Sequence, residues 1–83
     1  MAAGNEIQLT RLELELLKEL VINAGKTLTH NMLLSRIWGP EYVDAKQYLH
    51  VIIYRLRKKI EPNFSSPSYI ITVPGLGYRF LKT

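Results

Sequence analysis

The stretch "QYLHVIIYRLRKKIE", Gln47 to Glu61, decides the fold of this 83-residue chain. It interleaves Leu49, Val51, Ile52, Ile53, Leu56 and Ile60 with Arg55, Arg57, Lys58 and Lys59, which is too apolar for a surface helix and too charged for a buried one. At about 100° per residue, Leu49, Ile53, Leu56 and Ile60 project within roughly 60° of one another and form an inward stripe. Gln47, Val51, Tyr54 and Lys58 project on the opposite side, with His50 and Arg57 on one shoulder and Arg55, Tyr48 and Lys59 on the other. This second face mixes donors, apolar groups and cations in the way a DNA major groove demands. Arginine can bond guanine bidentately, glutamine and histidine can reach base edges, valine can meet a thymine methyl, and flanking cations can meet phosphates. The competing reading packs Val51 and Tyr54 under a loop and makes Arg57 to Lys59 ordinary cations favoured at a helix C-terminus.

Working outward, Thr10 and Glu13 form a capping box, with Leu9 and Leu14 placed as its hydrophobic staple. A first helix follows, with Leu12, Leu16, Leu17, Leu20 and Val21 on one stripe, Glu13, Glu15, Lys18 and Glu19 mostly off it, and Gly25 as the C-terminal cap. Before it, Glu6 to Leu9 alternates as a short extended segment. Thr29 caps a second helix that carries Met32, Leu33, Ile37 and Trp38 and stops at Gly39 and Pro40. Asp44 is placed to cap the third helix, which runs from Ala45 to about Ile60 and is ended by Pro62. "YIITV" and "YRFL" then read as a hairpin with Pro74, Gly75, Leu76 and Gly77 at a four-residue tip. There is no internal repeat, low-complexity tract or second domain. The expected fold class is therefore α+β, with three helices followed by a C-terminal hairpin over residues 6–82, and Met1 to Asn5 as a linker or cloning remnant.

Charge is split along the chain. Met1 to Asp44 carries four cations against six acids, net −2, whereas Ala45 to Thr83 carries seven cations against Glu61 alone, net +6. So lopsided a field fits a polyanionic partner, nucleic acid before an anionic membrane surface. No run approaches the roughly 18–20 apolar residues of a membrane span, and the N-terminus has no secretory signal pattern, so a cytoplasmic location is expected. With no cysteine, disulfides, a thiol nucleophile and cysteine-ligated zinc are excluded. His30 and His50 do not sit at metal-ligand spacing, and no phosphate loop or nucleophile–base pair stands out, so neither a metal, a cofactor nor an enzyme activity is expected. Trp38 reads as a core anchor whose indole N–H can also donate to a phosphate.

Three helices with the third two-faced, then a basic-aromatic hairpin, is the winged helix-turn-helix plan. "LTRLELELLKELVINAGKTLTHNMLLSRIWG", "YLHVIIYRLRKKIEP" and "YIITVPGLGYRFL" resemble the C-terminal effector domain of OmpR/PhoB-type response regulators of two-component systems, over about Glu6 to Lys82. "WGPEY" with "YIITVPGLGYRF" looks most like the KdpE-type members. The resemblance implies sequence-specific binding of double-stranded promoter DNA. The third helix would enter the major groove, with Gln47, His50, Val51, Tyr54 and Arg55 facing bases or nearby phosphates and Tyr48, Ile52, Arg57 and Lys58 flanking the backbone. It places Trp38, Thr72 and Tyr78 as phosphate donors and the hairpin, with Arg79 and Lys82 as its cations, as the wing over the minor groove. It makes the loop Gly39, Pro40, Glu41, Tyr42, Val43 and Asp44 the segment that meets RNA polymerase. It implies a head-to-tail dimer on direct repeats for the activated full-length protein, with the isolated chain monomeric. This sequence departs from the family in three ways. Only Glu6 to Leu9 remains of the family's four-stranded N-terminal sheet, no phosphorylatable receiver domain is included, and Pro74 stands at the wing tip where some members carry arginine. Against DNA binding stands a winged-helix adaptor whose basic face meets an acidic protein.

Overall fold

The computed structural model describes residues 8–63 and 65–81. Its elements are α1 (Arg11–Ile22), β1 (Thr27–Thr29), α2 (His30–Ile37), α3 (Lys46–Ile60), β2 (Ile70–Val73) and β3 (Gly77–Phe80), with a 3-10 turn at Pro40–Tyr42. The capping box at α1 is complete. The Thr10 hydroxyl accepts from the Glu13 N–H at 3.3 Å and a Glu13 carboxylate oxygen accepts from the Thr10 N–H at 2.9 Å. At α2 the Thr29 hydroxyl accepts from the Met32 N–H at 3.1 Å. Both caps satisfy backbone donors that a helix start leaves orphaned.

The apolar stripes of the three helices meet the sheet in one core: Leu16 and Leu20 from α1, Leu33 and Leu34 from α2, Leu49, Ile52, Ile53 and Leu56 from α3, then Leu28, Ile70 and Tyr78 from the strands. Each fully buried leucine or isoleucine contributes about 1.5–3 kcal/mol relative to exposure. The strands form a three-stranded antiparallel sheet in the order β1-β3-β2. Leu28, Tyr78 and Thr72 share one cross-strand row, and Thr27, Arg79 and Ile71 share the next. Successive side chains of a strand point to opposite faces. The Tyr78 row therefore faces the helices and the Arg79 row faces away. At Gly77 a Cβ would overlap the Leu28 carbonyl oxygen, so only glycine lets β1 and β3 approach here.

Several sequence expectations are corrected. The hairpin is joined by β1, a strand in the stretch that reads from sequence as a plain connector after α1. Its tip is three residues, Pro74 to Leu76, because Gly77 opens β3. The N-cap of α3 is Ala45 with no side-chain bond, so Asp44 does not cap it. Asn23 ends α1 by donating from its side-chain amide to the Glu19 carbonyl at 2.8 Å. Gly25, at φ +88°, instead turns the chain so that its N–H donates to the Phe80 carbonyl at 2.8 Å. On α1, Leu12, Leu16, Leu17 and Leu20 pack in or against the core as expected, but Val21 is exposed, Glu13 is buried and Leu14 does not bury as a staple; on α2, Met32 is exposed. Ile52 belongs to the core and not to the outer face. No strand is assigned at Gln8 and Leu9, and the rest of the expected N-terminal strand, Glu6 and Ile7, lies outside the described residues.

Candidate nucleic-acid interface

The stripe Leu49, Ile52, Ile53 and Leu56 fixes the rotation of α3, and the opposite face is set by what remains. Gln47, Tyr48, His50, Val51, Tyr54, Arg55 and Lys58 are all exposed. Val51 and Tyr54 keep 47% and 52% of their surface, so they are not packed beneath a loop. The Lys58 ammonium lies 5.4 Å from the Tyr54 ring centroid, a cation–π contact that holds both on the surface. Among the described residues Arg55 makes no hydrogen bond or ion pair, which leaves its fork of five donors open.

Two charged residues tie the end of α3 to the strands. The Arg57 guanidinium donates through Nη2 to the Ile70 carbonyl at 2.9 Å and to the Thr72 hydroxyl at 2.8 Å, and through Nε to Ile70 at 3.3 Å. It also lies over the Tyr78 ring, 5.6 Å from the centroid. Arg57, Thr72 and Tyr78 are thus brought together, but largely with one another. Glu61, the only acid after Asp44, turns its carboxylate onto the start of β2. It accepts from the Ser68 N–H at 2.7 Å, the Tyr69 N–H at 3.0 and 3.1 Å and the Ile70 N–H at 2.8 Å. Burial raises the Tyr78 phenol above its ordinary value of 10.0, against a weaker pull downward from Arg57, so it keeps its O–H near neutral pH.

At the other end of the face, Trp38 closes α2 and is half-buried against the core. Its ring is 6.2 Å from that of Tyr48, which is 6.2 Å from that of Tyr42 in the 3-10 turn. This aromatic row joins the loop to α3. Within the loop Pro40, Glu41, Tyr42 and Asp44 are exposed, and Gly39 and Val43 are half-buried. Arg79 is not brought to the α3 face, since its row points away from the helices, and Lys82 lies outside the described residues.

Three features escaped sequence reasoning. Lys59 reaches back to the buried Glu13 carboxylate, Nζ to Oε1 at 2.6 Å, pinning the end of α3 to the start of α1. Burial pushes Glu13 upward, but the bonds from Lys59 and Thr10 outweigh it and hold the carboxyl below its ordinary 4.5. Glu61 carried one signal, being the lone acid of the basic half placed directly before Pro62. The third feature, a packing of His30 and His50 against Tyr78, had none, because those residues meet only through the tertiary fold. No group of three or more His, Cys, Asp or Glu among the described residues could hold a metal ion.

A three-helix core, a β-wing fastened to its third helix and an open cationic face on that helix define a winged helix-turn-helix. The chain belongs to the family described as "Transcriptional regulatory protein, C terminal", which matches residues 4–80. It is 43% identical over 76 residues to the KDP operon transcriptional regulatory protein KdpE of Escherichia coli K12, covering 92% of this chain and 34% of that protein. It is 42% identical over 76 residues to the sensory transduction protein RegX3 of Mycobacterium tuberculosis H37Rv, with the same coverage. The chain therefore spans about a third of the length of the curated relatives it matches. Among solved structures it is similar to the Klebsiella pneumoniae RstA DNA-binding domain in complex with RstA box. The TM-score is 0.84 at 33% identity, over 98% of this chain and 80% of that one. It is also similar to the Thermotoga maritima OmpR/PhoB homologue DrrB, with TM-score 0.76 and 38% identity over 95% of this chain and 36% of that one. The OmpR/PhoB resemblance and the winged-helix fold expected from the sequence both hold. No helix among the described residues is long and apolar enough to cross a membrane.

Proposed function

We propose that this domain binds duplex DNA sequence-specifically as the effector part of a two-component transcriptional response regulator, with α3 in the major groove and the β2–β3 wing near the minor groove. The observation that carries it is the outer face of α3, where exposed Tyr48, Val51 and Tyr54 share one helix with exposed Gln47, His50, Arg55 and Lys58. Solvent alone gives no reason to expose that apolar set, whereas bases and sugars do. Gln47, His50, Val51, Tyr54 and Arg55 face the base edges. Tyr48, Lys58 and Trp38 meet the phosphate backbone. Arg57 acts by holding the wing, Thr72 and Tyr78 meet phosphates from that position, and Arg79 adds only longer-range attraction.

The full-length regulator works in the cytoplasm on promoter DNA and docks head to tail on direct repeats, while the isolated domain is a monomer. The loop Gly39 to Asp44 projects its exposed Glu41 and Tyr42 beside the DNA face, where RNA polymerase is met. Selection of bound duplexes from a random pool tests the reading. A recurring motif of one half-site or its repeats is expected. Recovery of unenriched sequence would leave only a non-specific binder, and no retained duplex at low salt would leave the adaptor reading.

A further inference from the structure

The outer face of α3 continues into a cluster of ionisable rings that DNA reading alone does not require. The His30 ring, at the first turn of α2, lies 5.8 Å from the His50 ring of α3 at 67°, edge to face. Both rings also pack on Tyr78 of β3, at 5.7 and 6.4 Å. The charged and titratable groups around His30 are Lys46 and His50 of α3, Tyr78 with Arg57 over its ring, and Asp44, which lines the same hollow from the loop before α3. Only Asp44 is acidic, and it is exposed.

We propose that His30, packed edge to face on His50 and Tyr78, is a proton-binding site linked to duplex occupancy, so that a polyanion laid across α3 draws a proton onto its imidazole. In the free protein, burial and then the charges of Lys46 and His50 hold His30 below its ordinary 6.5, so it is neutral near pH 7. DNA phosphates reverse that field. They neutralise Lys46 and place negative charge within about one Debye length, ~8–10 Å, of the His30 imidazole. The charged form then becomes the favoured one. Because protons are taken up on binding, affinity rises as pH falls.

This inference rests on the DNA reading above, and its test separates the two. Anisotropy of a labelled mixed-sequence duplex, titrated at constant low ionic strength from about pH 8 to about pH 6, should show affinity rising about 3- to 10-fold per pH unit for half to one linked proton. His30→Gln should bind comparably near pH 8 and lose most of that slope. On the unaltered protein, the His30 imidazole resonance should titrate at higher pH when the duplex is present than when it is absent, a readout independent of any substitution. A wild-type affinity flat in pH, an unchanged slope in His30→Gln, or an imidazole midpoint unmoved by the duplex would each overturn the linkage while leaving DNA binding intact. A duplex bound at no pH would overturn the DNA reading and this one with it.

Discussion

Arg55 and Lys58 stand one turn apart on α3 and should fail in different ways. Arg55 is exposed and has no partner among the described residues, so its guanidinium can commit both edges to a guanine. Arg55→Ala should cost about 1–3 kcal/mol on the preferred site and relax selectivity at one or two base pairs. Lys58→Ala should weaken binding to every duplex alike, since a phosphate contact carries no sequence information. Binding of a panel of single-base variants of the selected site reads both, and an Arg55→Ala protein with intact affinity and preference would remove it from the recognition set. Glu13 shows a residue-scale effect on stability. Its carboxyl titrates below the ordinary 4.5, so its ion pair with Lys59 stabilises the fold above that pH and loses this contribution as pH falls through the lowered value. Glu13→Gln should therefore melt below wild type at neutral pH, with the gap narrowing as pH drops below 4.5. Thermal melts of the two proteins across that range measure it.

At the scale of the element, α3 is held by its inner stripe, by Lys59 to α1, and by Arg57 and Glu61 to the wing. Leu56 is fully buried, so Leu56→Ala should destabilise the domain by about 2–5 kcal/mol, and any binding loss would follow unfolding. Glu61→Gln should act locally. An amide oxygen can replace one acceptor but not both carboxylate oxygens, so the amides of Ser68 to Ile70 lose part of their anchoring. Hydrogen exchange of those amides should speed up at least several-fold while the α1 amides stay protected. Equal acceleration everywhere would mean the clamp supports the whole fold.

These contacts also show what the sequence could carry. Periodicity placed Leu49, Ile53 and Leu56 inside and Val51 and Tyr54 outside, because a two-faced helix 15 residues long leaves little freedom in its rotation. It left Ile52 unplaced, and the family resemblance put it beside the DNA backbone, whereas Ile52 is buried in the core. β1 escaped because Thr27 to Thr29 is too short to show alternation and becomes a strand only through pairing with Gly77 to Arg79. Asp44 looked like a cap by residue type, but the backbone at Ala45 makes the turn instead. Arg57 read as one more cation on the outer shoulder, and only the packed wing reveals where its donors go.

For the molecule as a whole, the net charge of +6 after Asp44 overstates what a duplex would feel. Lys59 is paired with Glu13, Arg57 donates to Ile70 and Thr72, and Arg79 faces away from the helices. Lys46 and Lys58 are exposed on α3 and can meet phosphates while Arg55 is committed to a base, so one domain should neutralise about two phosphates and show a log–log salt slope of about −2 at low to moderate salt. Lys58→Ala should shallow it by about one unit. Two domains docked head to tail on repeats spaced about 10–10.5 base pairs would present the same face twice along one side of the duplex. The slope on paired repeats should then roughly double and affinity per site should rise, because the second domain meets a duplex already held by the first. Titrating single and paired repeats at several salt concentrations measures both quantities. A slope near −6 on a single half-site would mean that the wing cations and Arg57 meet phosphates after all, and equal affinity per site on single and paired repeats would remove tandem docking from this domain.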